Sequence, residues 1–197
     1  MPDFKRGLLV WLFFVIGLTA CSIVPVAPDV AYSTKAKAHL YQLGQWSFEG
    51  RMSLTGNKDA WSATVAWAHV PAKEEIKLSG PLGQGGTVIG LTNQVVSIDR
   101  GNGDVQTSGQ PEVFVSQQLG MFVPLRSLRY WVVGLPEPGQ GYEETGSGFK
   151  QAGWLVDYRQ MQSVGNEAMP RKITVMNGQV KLKLVIDEWV LDSVSTR

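Results

Sequence analysis

Thiols and imidazoles are scarce in this 197-residue chain, which holds one cysteine and two histidines. A lone cysteine can form no intramolecular disulfide and no thiol-clustered metal site. His39 and His69 lack the helical or hairpin spacing that would pair them as metal ligands, so both read as surface or satisfied polar residues. No Gly-x-Ser-x-Gly elbow is present, and no Lys-Ser/Thr follows Gly83-Gln84-Gly85-Gly86, so neither a strained nucleophile nor a phosphate loop is supported. Those glycines enter a strand pattern, which leaves no helix N-terminus for a phosphate. Glu143 and Glu144 read as solvated loop residues rather than an acid/base pair. Net charge is also lacking. The formal +1 falls to neutrality once residues 1–20 leave with Asp3, Lys5 and Arg6, so no basic field attracts nucleic acid or anionic head groups. These absences set the expectations: no enzyme, no metal, no cofactor and no nucleic-acid partner.

What is present begins with an apolar run. Lys5 and Arg6 precede Gly7–Leu18, which is too short to span a bilayer comfortably but suits the core of an export signal. Leu18-Thr19-Ala20-Cys21 follows and resembles the lipobox of bacterial lipoproteins. That resemblance implies a signal peptide at 1–20 and a lipid anchor on Cys21, with Ser22 rather than aspartate next to it as for passage to the outer membrane. Residues 21–34, with Pro25 and Pro28, read as the lipidated N-terminus and an extended linker. Residues 35–197 then make one domain, since 44% hydrophobic content is enough for a sizeable core.

The domain reads as mainly β with helices. Thr34–Leu43 has the pattern of a short helix with Thr34 as N-cap and Gly44 as stop. From Trp46 the period becomes two: Trp46, Phe48, Gly50, Met52 and Leu54 share one face, and Trp61, Val65 and Trp67 share that of the next strand. Short strands continue at 75–79, 87–91, 95–99 and 104–107, joined by turns such as Asn93-Gln94. Pro111 and Pro124 each open a helix that ends at a glycine, Gly120 and Gly134, and the two are expected to cover a sheet. Leu135–Glu144 reads as a connection, 147–151 and 154–159 as strands, and 160–170 as loop. Lys172–Met176 and Gln179–Ile186 flank Asn177-Gly178, a pair that favours a type I′ turn, and Trp189 closes the pattern.

Two features remain open on the residues alone. Ser79–Gly86 is a glycine- and proline-rich turn that carries Leu82 without an apolar neighbour closer than Leu78 or Val88. Leu82 is either a plug folded back onto the β-structure or a finger that touches a membrane or partner. The six tryptophans after Cys21 all fall on inward positions, which suits either a packed aromatic core or the lining of an apolar cavity.

Several of these segments together resemble the LolB family of outer-membrane lipoprotein receptors. The resemblance rests on Gly80-Pro81-Leu82-Gly83, Pro124-Leu125 with Ser127-Leu128-Arg129-Tyr130-Trp131, Gly134-Leu135-Pro136, and Ile186-Asp187 with Trp189. It implies an open, strongly curved antiparallel sheet, an incomplete β-barrel, with a helical lid over an apolar cavity. It also implies a monomeric, lipid-anchored receptor at the periplasmic face of the outer membrane. Such a receptor accepts lipoprotein acyl chains from the periplasmic carrier LolA and delivers them to the membrane. On that reading Leu82 is the membrane-delivery residue. Trp46, Phe48, Trp61, Val65, Trp67, Leu78, Trp131 and Trp154 are the candidate cavity lining. The rival reading is a structural or assembly lipoprotein whose aromatics form a packed core. The tail Val190–Arg197 extends past the last family landmark.

Overall fold

A computed structural model of the chain describes residues 31–57, 59–80 and 85–192; Cys21 and Leu82 lie outside these residues, as does the end of the tail. Eleven strands form one antiparallel sheet in the order β6-β5-β4-β3-β2-β1-β11-β10-β9-β8-β7. The first six are β1 (Trp46–Thr55), β2 (Ala60–Val70), β3 (Lys73–Ser79), β4 (Gly86–Thr92), β5 (Val95–Asp99) and β6 (Val105–Ser108). The chain then makes two helices, α2 (Pro111–Leu119) and α3 (Leu125–Val133). It returns as β7 (Tyr142–Thr145), β8 (Gly148–Gln151), β9 (Trp154–Val164), β10 (Glu167–Met176) and β11 (Lys181–Leu191). A short helix α1 (Thr34–Lys37), continued by a 3-10 turn at Ala38–Gln42, precedes the sheet.

Because β6 and β7 are edges that pair with no further strand among the described residues, the sheet is an open one rather than a closed barrel. It is nevertheless curved. Ile89 on β4 and Leu182 on β11 line the same small cavity although four strand spacings separate them, roughly 19 Å in a flat sheet. Close approach of the backbones accompanies this geometry: a Cβ on Gly50 would lie 2.3 Å from the Val185 carbonyl oxygen, and one on Gly148 2.1 Å from that of Val156.

One bulge decides which way a tryptophan points. Glu49 pairs with Glu188 but Gly50 pairs with Ile186, so Asp187 is an extra residue on β11. Ile186 and Trp189 are three apart and would face opposite sides of a regular strand. With the bulge both are buried, while Asp187 and Glu188 are both exposed and Asp187 pairs with Arg51 at 2.9 Å on the outer face. Val190 and Leu191 continue the strand beside Ser47 and Trp46, which gives the start of the tail a place in the sheet.

Some expectations need correction. The stretch 160–170 is not loop: β9 and β10 run through it and turn at Gly165-Asn166, with Gly165 at φ +59°. Pro170 lies in this central strand at a register irregularity, where a missing N–H breaks no regular ladder, and its carbonyl accepts the Trp189 indole N–H at 2.8 Å. Tyr142, Glu143 and Glu144, read as the end of a connection, belong with Thr145 to β7, which pairs with β8. Asn177-Gly178 does join a hairpin, but Met176 pairs with Lys181, so the loop has four residues rather than a type I′ pair. Asn177 instead accepts the Val180 N–H on its side chain at 2.9 Å. Ser33, not Thr34, takes the N-cap position of α1, and the Thr34 N–H donates to the Glu144 carboxylate at 2.7 Å. The core described here draws on residues between Tyr32 and Leu191, so residues 31–192 carry their own sheet and core.

Candidate functional site

Between the inner face of the sheet and the two helices lies a cavity of about 60 Å³. The sheet contributes Phe48, Met52 and Leu54 from β1, Trp61, Val65 and Trp67 from β2, Ile76 and Leu78 from β3, Ile89 from β4, and Leu182 and Leu184 from β11. Its roof is Val115 and Leu119 of α2, Val123 of the connection, and Leu125, Leu128 and Val132 of α3. Every one of these side chains is apolar, as expected when period-two strands and a helical apolar stripe face each other. A second space, a groove of about 230 Å³, adjoins it at the Ser79–Gly85 end and shares Trp61, Leu78, Ile89, Val115 and Leu119 with the cavity. Unlike the cavity, the groove has a polar rim: Ser62, Ser79, Thr87, Arg100 and Gln118.

The expected lining residues fall into two sets. Phe48, Trp61, Val65, Trp67 and Leu78 come together around the cavity. Trp46, Trp131 and Trp154 stand elsewhere. Trp46 packs on Phe48, Trp67, His69 and Trp189 with ring centroids 5.2 to 6.1 Å apart, and Trp131 lies between Phe149 and Trp154 at 6.4 and 6.1 Å. Five of the six tryptophans are buried and Trp61 is half-buried. A packed aromatic cluster thus stands beside the apolar cavity. The expected set, whose aliphatic members are only Val65 and Leu78, missed most of the aliphatic lining. The signal was available in the alternation of Leu182 and Leu184 and in the Leu125-Leu128-Val132 stripe.

Buried polar groups fasten α3 to the sheet. Glu74 on β3 is 4% exposed; its Oε1 lies 3.0 Å from the Arg129 guanidinium of α3, an ion pair rather than an aligned hydrogen bond. Its Oε2 accepts the Trp67 indole N–H at 3.2 Å, so a cavity wall and the roof helix share one carboxylate. His69 Nδ1 stands 3.8 Å from the same carboxylate. On the other flank, Gln151 is 2% exposed and fully satisfied. Its Oε1 accepts from the Trp131 indole at 2.8 Å and the Glu137 N–H at 2.7 Å, and its amide donates to the carbonyls of Glu137 and Gln140. Tyr158 donates its hydroxyl to the Trp131 carbonyl at 2.8 Å, and burial pushes the Tyr158 phenol well above its ordinary pKa. Tyr32, stacked on Tyr158 at 5.3 Å and donating to the Gly134 carbonyl, is raised chiefly by burial too.

Among the described residues, no group of three or more metal-ligating side chains comes together, and no helix is long and apolar enough to cross a membrane. Fold and site therefore define a mainly β protein with an apolar cavity between sheet and helices, and among the described residues no titratable side chain lines that cavity. The sequence profile of the family described as outer membrane lipoprotein LolB matches residues 44–189, and the chain belongs to that family of non-enzymatic outer-membrane lipoproteins. The outer-membrane lipoprotein LolB of Chromohalobacter salexigens is 32% identical over 194 residues, covering 92% of this chain and 90% of that one. That of Pseudomonas fluorescens is 31% identical over 197 residues, covering 94% and 96%. Among solved structures, a LolA superfamily protein from Nitrosomonas europaea superposes with a TM-score of 0.46 at 7% identity over 77% of this chain and 88% of that one.

Proposed function

We propose that this chain is an outer-membrane-anchored receptor that takes lipoproteins from the periplasmic carrier LolA, holds their acyl chains in the apolar cavity, and passes them into the outer membrane. The observation that carries the reading is the cavity wall without a polar side chain, adjoining a groove at the Ser79–Gly85 end. Exposing acyl chains to water costs about 0.8 kcal/mol per CH₂, on the order of 10 kcal/mol for one long chain, so handover must be direct. Without an energy-coupling motif, direction comes from differential affinity: carrier weaker than receptor, receptor weaker than membrane. The cavity is small, so loading requires the roof to move and join cavity to groove. Cys21 would hold the protein at the membrane, and Leu82, beside the groove mouth in sequence, would carry the chains out.

Saturable uptake of diphenylhexatriene by the 31–192 domain tests the reading. A stable domain that takes up none is instead the packed scaffold lipoprotein. For Leu82→Glu in the full chain, uptake should stay within twofold of wild type while delivery to liposomes falls about tenfold or more, because a charge replaces the apolar tip. An unfolded variant would make Leu82 a plug.

A further inference from the structure

We propose that the groove at the mouth of the cavity is a separate subsite for the diacylglyceryl ester group of the cargo, with Arg100 and Gln118 as its hydrogen-bonding pair. This rests on the acyl-chain reading of the cavity and adds a polar end to it. A lipid is apolar only along its chains; its ester oxygens accept hydrogen bonds and cannot enter a space onto which no polar atom faces without losing their water uncompensated. The cavity is of that kind, and the polar side chains of the two adjoining spaces are confined to the groove. Trp61, Leu78, Ile89, Val115 and Leu119 border both spaces, so a chain with its tail in the cavity has its head in the groove.

Arg100, after β5, donates to the Gln118 amide oxygen of α2. A guanidinium has five N–H donors, so others remain for a ligand. Among the described residues no carboxylate pairs with Arg100 within 4 Å, and the groove lining contains no acidic side chain. The rim is therefore rich in donors and suits carbonyl oxygens over an ammonium group. Because Gln118 belongs to the roof helix, a head bound here also bears on the element that must move.

The ester group is common to lipidated cysteine and to phospholipids, and three probes separate the sources: diphenylhexatriene, a synthetic dipalmitoylglyceryl-cysteinyl peptide, and phosphatidylglycerol. In the 31–192 domain, Arg100→Met should weaken the lipopeptide about tenfold and leave diphenylhexatriene within twofold, with Arg100→Lys restoring part of the loss. A lipopeptide affinity unchanged by Arg100→Met, or a loss equal for both probes, overturns the subsite. A loss confined to phosphatidylglycerol overturns the ester assignment in favour of phosphate. If the wild-type domain takes up no diphenylhexatriene at all, the cavity reading itself has failed. If it does and only the lipopeptide is insensitive, the head-group subsite alone has failed.

Discussion

α2 and α3 roof the same cavity but are held by different kinds of interaction. α3 buries six of its nine residues and is tied to the sheet by the Arg129–Glu74 pair, the Trp131–Gln151 bond and the Tyr158 hydroxyl. α2 buries only Pro111 and Val115. Among the described residues its one side-chain hydrogen bond to the rest of the domain comes from Arg100, just after β5, to Gln118. Polar links have one good geometry and resist sliding, whereas an apolar contact can be traded for another apolar contact, including a ligand's. On the proposed loading of the cavity, this difference makes α3 the frame and α2 the part of the roof that moves. Low local contact and few buried polar ties are the properties of segments that open before the rest of a domain.

The largest expected effects lie on α3. Trp131 is fully buried, and Trp131→Ala removes both its packing and the donor to Gln151, for a loss of about 3–5 kcal/mol in urea unfolding. Val115→Ala on α2 should cost only about 1–2 kcal/mol, although Val115 is just 1% exposed, because fewer atoms leave and α2 can settle. The two should also differ in sign at the cavity. Val115→Ala enlarges the space under the roof and should tighten diphenylhexatriene uptake, whereas Trp131→Ala should not. Equal losses, or slower amide exchange in α2 than in α3, would break the distinction between frame and lid.

A cycle on the buried pair comes next. Arg129→Met alone strands the Glu74 carboxylate at 4% exposure and should cost about 3 kcal/mol, the low end for a broken buried pair because the Trp67 indole still donates to it. Adding Glu74→Gln removes the charge and keeps an acceptor for the indole, so the double variant should recover most of that loss. Should the double variant stay as unstable as the single, Arg129 acts through packing over Tyr130, whose ring centroid lies 5.2 Å away, and not through charge.

How far the sequence reached follows the same division. Period-two alternation made the strands around the cavity legible, because each buries one face and exposes the other. The Pro-to-Gly limits of α2 and α3 were legible for a similar local reason. What was not legible depends on partners distant in sequence. Trp189 reads as inward, but nothing local says that a bulge opposite Gly50 is what turns it there, or that Pro170 can sit in a central strand because a register shift excuses its missing N–H. The split of the tryptophans between cavity wall and packed core is likewise set by sheet curvature, which brings β4 and β11 around one space. Arg129 and Gln151 are ordinary surface residues by type and become ties to the sheet only once Glu74 and Trp131 stand opposite them.

The smallest effects are expected at the two helix ends, where the comparison can be made with the same substitution. Gly120 closes α2 at φ +71° and Gly134 closes α3 at φ +98°, both conformations that a Cβ disfavours. An added Cβ at Gly120 has nothing nearer than Asp59 Oδ2 at 3.8 Å, so Gly120→Ala costs backbone strain alone, about 1 kcal/mol. At Gly134 the Cβ would meet Lys37 Cδ at 3.4 Å and Pro170 Cγ at 3.6 Å, and φ is further from the left-handed minimum, so Gly134→Ala should cost about 2 kcal/mol. Strain at the end of a loosely held helix can be relieved by shifting the helix, while strain at the end of a fastened one cannot. Gly120→Ala should therefore also speed diphenylhexatriene uptake at little cost in stability, and Gly134→Ala should lower the urea midpoint without changing the uptake rate. The reverse pattern would make α3 the element that opens.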